Sequence, residues 1–297
     1  MLTRLFHVAM AVPDLAPCTD FYGRALGLPD SGEGVDSHGH AFRKYRIGPT
    51  DLILTEDPAV LPYADLAGNV RTEVDHFALY VDDVVDVYEN LRSRGILFRD
   101  RPHTTELGHR NMQRSLVSFE DPVGFTLQLS QTVDPRPRLA SRIKAKKAMS
   151  SMAGIGGRTG GRTAAVNRFG GIDHISTYCT DFAANRALYR DILGLDEFFY
   201  STTREEGAAV GTGFEQGAFA VGGTDIELAS DDEWRHLAHG PVRGLGLQSD
   251  QIDRARASLR AQGVPFEERT SDGALNYPGR SCLAFNSPDG MQLHIVG

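Results

Sequence analysis

The sequence of 297 residues contains few cysteines, no long apolar run and no excess of positive charge. Its three cysteines, Cys18, Cys179 and Cys282, lie far apart without a CxxC pair, which predicts reduced thiols and no disulfide scaffold. No apolar run approaches the roughly 20 residues of a membrane-spanning helix, and the first residues lack the apolar segment of a secretory signal. The net charge of −8 argues against a general nucleic-acid-binding protein. We therefore expect a cytoplasmic protein with neither membrane nor nucleic-acid partners.

The composition is that of a globular protein with two domains. Hydrophobic residues make up 41% of the chain and charged residues 24%, which excludes a disordered or fibrous protein. The length predicts two domains that each bury a core. A basic, glycine-rich stretch separates two halves, so we predict an N-terminal module at 1–130, a linker at 131–170 and a C-terminal module at 171–297. The expected role of the linker is a solvated connector, and capture of an anionic substrate or partner is the alternative.

An internal repeat divides the modules into four units, at 1–57, 72–130, 171–230 and 241–297. Each unit begins with an alternating strand, at 5–12, 74–81, 172–179 and 242–249, and continues with an amphipathic helix and further strands. The helices are followed by Gly27, Gly95, Gly194 and Gly263. Glycine at this place is typical of a helix C-cap, so the pattern predicts a strand, a helix and further strands four times over.

Polar residues recur at equivalent positions of these strands. Because side chains alternate along a strand, His7, His76 and His174 occupy the same place in the first strands of units one to three. A small residue follows each histidine two positions later, which leaves room for a ligand. The equivalent places in the last strands are held by Ile53, Gln128, Glu227 and His294. A concave sheet lined in this way is a cup with imidazoles and a carboxylate at its floor.

These units resemble the vicinal oxygen chelate superfamily, which includes glyoxalase I, extradiol ring-cleaving dioxygenases and bleomycin-resistance proteins. The resemblance covers nearly the whole chain apart from the linker. It rests on the helix ends at 21–28 and 189–195, the Asp121-Pro122-Val123-Gly124 turn and the Asp225-Ile226-Glu227-Leu228 strand. It implies an α+β fold in which four βαβββ units pair into two cup-shaped, glyoxalase-like modules. It also implies a metal ion held by the first-strand and last-strand residues of the two units that share a cup.

The resemblance leaves open which units share a cup. If neighbours pair, the first cup offers His7, His76 and Gln128, and the second offers His174, Glu227 and His294. If the pairing is crossed, units two and three offer His76, Gln128, His174 and Glu227. The repeat spacing, 69 residues from His7 to His76, favours neighbours, whereas only crossing gives one complete ligand set. We expect the crossed cup and keep the neighbour set as the alternative.

The ligand set implied by the crossed cup predicts the chemistry. Two histidines and one carboxylate leave open positions on a divalent metal, which suits Fe(II), dioxygen and a small aromatic diol. Gln128 as a fourth ligand would fill one position and suits Mn, Co, Ni or Zn in a redox-neutral isomerase, epimerase or lyase. An extradiol-type dioxygenase is therefore the first hypothesis and a glyoxalase-type enzyme the second. The third is a resistance protein that binds a small molecule without catalysis.

Two further residues are candidates for catalysis. His109, in unit two, would act as a general acid or base near neutral pH, although the run at 101–114 fits an exposed loop equally well. Tyr178 shares a strand face with His174, where it would line the pocket or take part in proton transfer. A small-molecule substrate is the expected partner, and a homodimer is the default expectation for such proteins.

Overall fold

The structure is a computed structural model that describes residues 1–36, 38–60, 71–107, 112–135, 169–202, 214–230, 237–270 and 279–297. Most of the predicted linker, at 136–168, lies outside the described residues, as does His109. Among the described residues, no helix has both the length and the apolar character that crossing a membrane requires.

The four predicted units are present with the predicted order of elements. Unit one contains β1 (Leu2–Val12), α1 (Leu15–Thr19), a π-helical turn (Asp20–Ala25), β2 (Asp30–Val35), β3 (Ala41–Ile47) and β4 (Thr50–Glu56). Unit two contains β5 (Arg71–Thr72), β6 (Val74–Tyr80), α2 (Val84–Ser93), β7 (His103–Leu107), β8 (Met112–Glu120) and β9 (Thr126–Pro135).

The second half of the chain repeats this order. Unit three contains β10 (Gly171–Tyr178), α3 (Phe182–Ala187), a π-helical turn (Leu188–Ile192), β11 (Asp196–Ser201), β12 (Glu215–Val221) and β13 (Thr224–Ser230). Unit four contains β14 (Leu237–Ala238), β15 (Val242–Ser249), α4 (Ile252–Ala261), β16 (Glu267–Thr270), β17 (Ser281–Asn286) and β18 (Gln292–Val296). The π-helical turns of units one and three stand at corresponding positions, so this detail is repeated as well.

Helix α2 illustrates how the sequence forms these elements. Asp83 caps its first turn, since the carboxylate accepts hydrogen bonds from the backbone N–H groups of Val85 and Asp86. Val84, Tyr88 and Leu91 are buried at helical spacing against the sheet. The helix is followed by Gly95 at φ +90°, a left-handed conformation that other residues rarely adopt. The glycines that follow the other three helices also have positive φ, as predicted.

Among the described residues there are two eight-stranded sheets and a two-stranded pair of β5 with β14, and each large sheet joins one unit from each half of the chain. One sheet has the order β16-β17-β18-β15-β1-β4-β3-β2 and combines units four and one. The other has the order β11-β12-β13-β10-β6-β9-β8-β7 and combines units three and two. The first strands of two units pair antiparallel at the centre of each sheet, β1 with β15 and β6 with β10. The pairing is therefore crossed.

This topology bears on the predicted modules. Neither 1–130 nor 171–297 builds one of the large sheets by itself, because every large sheet takes half its strands from each range. The repeat spacing misleads here because sheet hydrogen bonds join strands regardless of their separation along the chain. The boundaries of the modules and the linker, at 1–130, 131–170 and 171–297, stay a prediction.

The two faces of each sheet have different surroundings. Alternate residues of a central strand, such as Phe77 and Leu79 in β6, enter a continuous core with the helices. His76, Ala78 and Tyr80 lie on the opposite, concave face. We call the concave face of β6, β9, β10 and β13 the acidic cup, and that of β1, β4, β15 and β18 the basic cup.

Candidate functional site

Two histidines from different units meet at the centre of the acidic cup. The Nε2 atoms of His76 and His174 lie 3.2 Å apart. The strand register explains the approach, since His76 lies opposite Ser176 and His174 opposite Ala78, both small residues. Two nitrogens that each lie about 2.1 Å from one metal ion are separated by about this distance. The predicted central pair of the crossed cup is thus brought together.

An aspartate holds the other ring nitrogen of each histidine. The Nδ1 atom of His76 lies 2.7 Å from Asp75 Oδ2, and that of His174 lies 3.0 Å from Asp173 Oδ2. Asp173 is fully buried, and its Oδ2 atom also accepts a hydrogen bond from Ser130 Oγ at 2.9 Å. An Nδ1–H group that donates to a carboxylate leaves the lone pair of the ring on Nε2. Two such lone pairs facing each other at 3.2 Å form a site that a cation stabilises.

A β-bulge brings each aspartate to the face of its histidine. The register of β6 and β10 shifts between Val74 and His76 and again between Ile172 and His174. The residue in each bulge is the aspartate, which simple alternation would have placed on the core side of the sheet. For this reason the sequence analysis missed both residues. The Asp-His dipeptide shared by units two and three was the signal that could have found them.

Glu227 and Gln128 lie on the strands that flank the histidine pair. Glu227 of β13 is in register with Ser176, and Gln128 of β9 is in register with Ala78. Both side chains are half-buried on the concave face. The four residues of the crossed set therefore line one cup, whereas His294 of the alternative set lies in the other sheet. The set of His174, Glu227 and His294 cannot form a single site.

A buried arginine that the sequence analysis missed contacts this site. The Nη1 atom of Arg114 donates to Glu227 Oε1 at 3.0 Å, and Nη2 donates to Asp225 Oδ2 at 3.0 Å. The Nε atom lies 3.4 Å from Asp173 Oδ2, and the side chain is 2% exposed. Burial alone would lower the pKa of the guanidinium, but Asp173 and Glu227 raise it above its ordinary value, so Arg114 stays charged.

The position of Arg114 corrects one expectation from the sequence. The run at 101–114 is not one exposed loop, since it contributes to β7 and β8. Ser118 of β8 pairs with Gln128, so alternation places Arg114 on the concave face as well. From there the side chain reaches the carboxylates of β10 and β13. The sequence signal was partial, since Arg114, Ser118 and Glu120 are polar residues on one face of β8 but Leu116 interrupts the pattern.

The charges of the acidic cup favour a cation. Asp75, Asp173, Asp225 and Glu227 contribute four carboxylates, and Arg114 contributes one positive charge. Burial lowers the pKa of His174, which keeps its imidazole in the neutral form that binds metals. Among the described residues, no group of three His, Cys, Asp or Glu side chains is already arranged around one ion position. The ion pair between Arg114 and Glu227 is consistent with that finding.

The donor set nevertheless fits a divalent metal. Two imidazoles present Nε2 lone pairs at the right separation, and each is supported by a carboxylate in the manner usual for metal-binding histidines. Glu227 supplies a carboxylate beside them, and Gln128 supplies a further oxygen. His76, His174 and Glu227 are the residues that would hold the ion.

Tyrosines stand further along the same two strands. Burial raises the pKa of Tyr80 to about 12, so its hydroxyl stays protonated at neutral pH. Tyr178 is half-buried at the end of β10, four positions after His174, and its catalytic role stays a prediction. His103, at the start of β7 in the same unit as His76, has a half-exposed side chain beside Asp100 and the carbonyl of Arg101.

The basic cup has the same plan with different side chains. The Nε2 atom of His7 lies 3.1 Å from the Nδ1 atom of His294, and both rings are buried. Burial lowers the pKa of His294 to about 4 and that of His7 well below its ordinary value. The place of Glu227 is taken by Ile53, and that of His76 by Gly244. The basic cup therefore lacks both residues that complete the ligand set of the acidic cup.

Comparison with known proteins gives one family. The family model described as Glyoxalase/Bleomycin resistance protein/Dioxygenase superfamily matches residues 4–129 and 171–295. No curated protein sequence matches the chain.

Solved structures of the same architecture include two that cover nearly all of the chain. Glyoxalase I from Zea mays is 16% identical with a TM-score of 0.64, and the match covers 99% of this chain and 92% of that one. A candidate dioxygenase from Bacillus subtilis is 15% identical with a TM-score of 0.67, covering 99% and 85%. At these identities the likeness shows the fold alone.

Proposed function

The chain belongs to the Glyoxalase/Bleomycin resistance protein/Dioxygenase superfamily, and on that premise we propose that its acidic cup is the divalent metal centre of an enzyme. The proposed reaction is the extradiol-type cleavage of a small aromatic diol by dioxygen, with Fe(II) as the metal. The observation that carries the proposal is the pair of Nε2 atoms 3.2 Å apart, each ring backed by an aspartate, beside Glu227.

The residues of the cup have distinct roles in this proposal. His76, His174 and Glu227 hold the metal, and Asp75 and Asp173 fix the orientation and tautomer of the two rings. When bound, Fe(II) supplies positions for the two diol oxygens and for dioxygen, which a site with two histidines and one carboxylate leaves open.

Arg114 and the tyrosines act around these ligands. Arg114 holds one oxygen of Glu227 and compensates the charge of Asp173 and Asp225, so it positions the carboxylate. Tyr80 keeps its proton at neutral pH, and its hydroxyl hydrogen-bonds the side chain of Asp82. His109 and Tyr178 stay our candidates for proton transfer from the substrate.

A second function is favoured by Gln128. An amide oxygen on the strand next to His76 offers a fourth ligand, and four protein ligands suit a metal that polarises a carbonyl or an enolate without dioxygen. This alternative is a redox-neutral isomerase, epimerase or lyase of the glyoxalase type. Oxygen consumption separates it from the dioxygenase.

The experiment starts from protein purified without oxygen. Metal content is measured by mass spectrometry after incubation with Fe(II), Mn(II), Co(II), Ni(II) or Zn(II), and oxygen uptake is then followed with catechol and substituted catechols. We expect one bound ion per chain and one dioxygen consumed per diol. His76→Ala removes both, whereas His103→Ala, a change at a half-exposed histidine of the same unit, keeps both.

Three other results would change the assignment. A bound metal with no oxygen uptake for any diol would favour the isomerase. A metal that survives in His76→Ala would overturn the acidic cup as the centre. A protein that binds none of these metals would favour the third hypothesis, a small-molecule-binding protein without catalysis.

A further inference from the structure

A cluster of cationic side chains lines the basic cup beside His7. Arg4 and Arg280 both lie against the ring of Phe6, with guanidinium carbons 5.4 and 5.2 Å from its centroid. Arg46 and Lys44 follow on β3, and their charges act on the same carboxylate, Asp51. This cluster of Arg4, Lys44, Arg46 and Arg280, which we call the arginine cluster, has no counterpart on the described part of the acidic cup.

Three members of the arginine cluster act on one described carboxylate, that of Asp51. Asp51 is nearly buried and pairs with Arg46, at 3.0 Å between Nε and Oδ1. Burial, followed by the neighbouring cations Arg46 and Arg280, lowers the pKa of Arg4. Burial also lowers the pKa of Lys44, an effect that Asp51 opposes and Arg46 adds to. Arg4, Lys44 and Arg46 all act on Asp51, and Arg280 acts on Arg4, so neighbouring cations of the cluster repel each other and a further anion would relieve that repulsion.

The register of the two sheets shows how the charge is reversed. In the acidic cup Glu227 pairs with Ala218, whereas in the basic cup Ile53 at the equivalent place pairs with Lys44. Relative to the acidic cup, the basic cup therefore has Ile53 in place of the carboxylate of Glu227 and the buried ammonium group of Lys44 in place of Ala218. The same strands that favour a cation in one cup favour an anion in the other.

A second, independent observation points to a ligand in the basic cup. His294 is 1% exposed, its Nδ1 atom faces His7, and its Nε2 atom has no hydrogen-bond partner among the described residues. A buried polar atom without a partner is costly, and it is common where a ligand or water completes the site. His294 lies on the concave face, at the place that Gln128 holds in the acidic cup.

We propose that the basic cup binds a small oxyanion through the arginine cluster, with a carboxylate or a phosphate group as the recognised chemistry. Arginine suits both groups, because its planar fork donates two parallel hydrogen bonds to neighbouring oxygens. Arg280 is exposed and the Arg46 side chain is 44% exposed, so the cluster is open to an entering ligand. Lys44 adds a positive charge from a buried position. The site is separate from the acidic cup and does not depend on its metal.

The proposal is tested on the full chain, without added metal, by isothermal titration with inorganic phosphate and with acetate at constant ionic strength. We expect saturable binding of at least one anion, and the comparison of the two decides between phosphate and carboxylate. Arg280→Gln, a change at an exposed residue that leaves the fold intact, should weaken binding by about tenfold or more, and Arg4→Gln by a similar factor. Arg43→Gln is the matched control, because Arg43 stands on the same strand as Arg46 but pairs with Asp30.

Each contrary outcome is distinct. Absence of saturable binding for both anions would overturn the proposal. So would equal weakening by Arg43→Gln and Arg280→Gln, because the binding would then reflect general surface charge. Binding that is lost in Arg114→Lys and kept in Arg280→Gln would place the anion in the acidic cup and would also overturn it.

Discussion

The two cups share one backbone plan and differ in charge. Each centres on an antiparallel pair of first strands, and in each a bulge precedes the position of the strand histidine. In the acidic cup the bulges hold Asp75 and Asp173, whereas in the basic cup they hold Phe6 and Arg243. The same local geometry thus supplies a carboxylate to a histidine in one cup and an aromatic or cationic side chain in the other.

This difference agrees with our proposal that the acidic cup is the metal centre. His7 occupies the same strand position as His174, but the residue in the bulge before it is Phe6, whereas Asp173 precedes His174 and contacts its Nδ1 atom. The strand histidine alone therefore does not distinguish a metal site from a packed imidazole. The residue in the bulge and the residue on the flanking last strand decide the matter.

The largest expected effect is on metal affinity, and it distinguishes His174 in the acidic cup from His7 in the basic cup. Loss of a partner carboxylate costs metal-binding histidines roughly 10–100-fold in affinity, and loss of the ligand itself costs more. We therefore expect His174→Ala to lower metal affinity by more than about 100-fold, whereas His7→Ala keeps the metal. Metal content per folded chain, measured after gel filtration, checks this pair. Equal metal loss in both variants would mean that the ion does not belong to the acidic cup.

The second prediction compares the contributions to stability of two arginines, Arg114 in the acidic cup and Arg46 in the basic cup. Arg114→Met leaves Asp173, Asp225 and Glu227 buried without their shared cation, so the free energy of unfolding should fall by about 3–5 kcal/mol. Arg46→Met removes a half-exposed partner of Asp51 and should cost less than about 1 kcal/mol. Urea denaturation of both variants without metal gives the two values. A small loss in Arg114→Met would show that the carboxylates take up protons when the arginine is absent, and its pH dependence would then identify them.

How far the sequence predicts this contrast depends on the kind of feature. Alternation along single strands identified His76, His174 and Glu227, because those residues lie in regular segments with a period of two. The glycines that follow the helices were also predictable, since a left-handed residue at a helix end requires glycine. Both kinds of signal are local in the chain.

The features that the sequence did not predict depend on contacts between distant segments or on irregular backbone. Asp75 and Asp173 face their histidines only because a bulge breaks the alternation, and no residue type in those strands requires a bulge. Arg114 reaches Glu227 over 113 positions of the chain. The crossed pairing, in contrast, was expected correctly, from the completeness of the ligand set and not from the strands, whose possible partners look equally suitable in sequence.

Lowering the pH should destabilise the folded protein through His294 in the basic cup. The pKa of His294 is about 4 in the folded protein, against 6.5 for an exposed histidine, so the unfolded chain binds the extra proton first as the pH falls. Its contribution to stability is complete above pH 6.5 and is lost as the pH falls toward 4, by about 3 kcal/mol. The difference in unfolding free energy between the wild type and His294→Gln, followed from pH 7 to pH 4.5, should shrink accordingly. A difference that stays constant would mean that His294 has the same pKa in the folded and the unfolded protein.

The smallest expected effect concerns the space beside each histidine. His174 lies opposite Ala78, whereas His7 lies opposite Gly246, and a Cβ atom at Gly246 would overlap the imidazole of His7. Gly246→Ala should therefore displace His7 and destabilise the protein by about 1–3 kcal/mol, as overpacking of a filled interior does. The reciprocal change, Ala78→Gly, removes one methyl group from a strand and should cost about 1 kcal/mol or less. Thermal unfolding of the two variants compares the cups directly. A Gly246→Ala protein as stable as the wild type would mean that the His7 ring moves aside without cost. The basic cup would then be less tightly filled than its buried histidine pair implies.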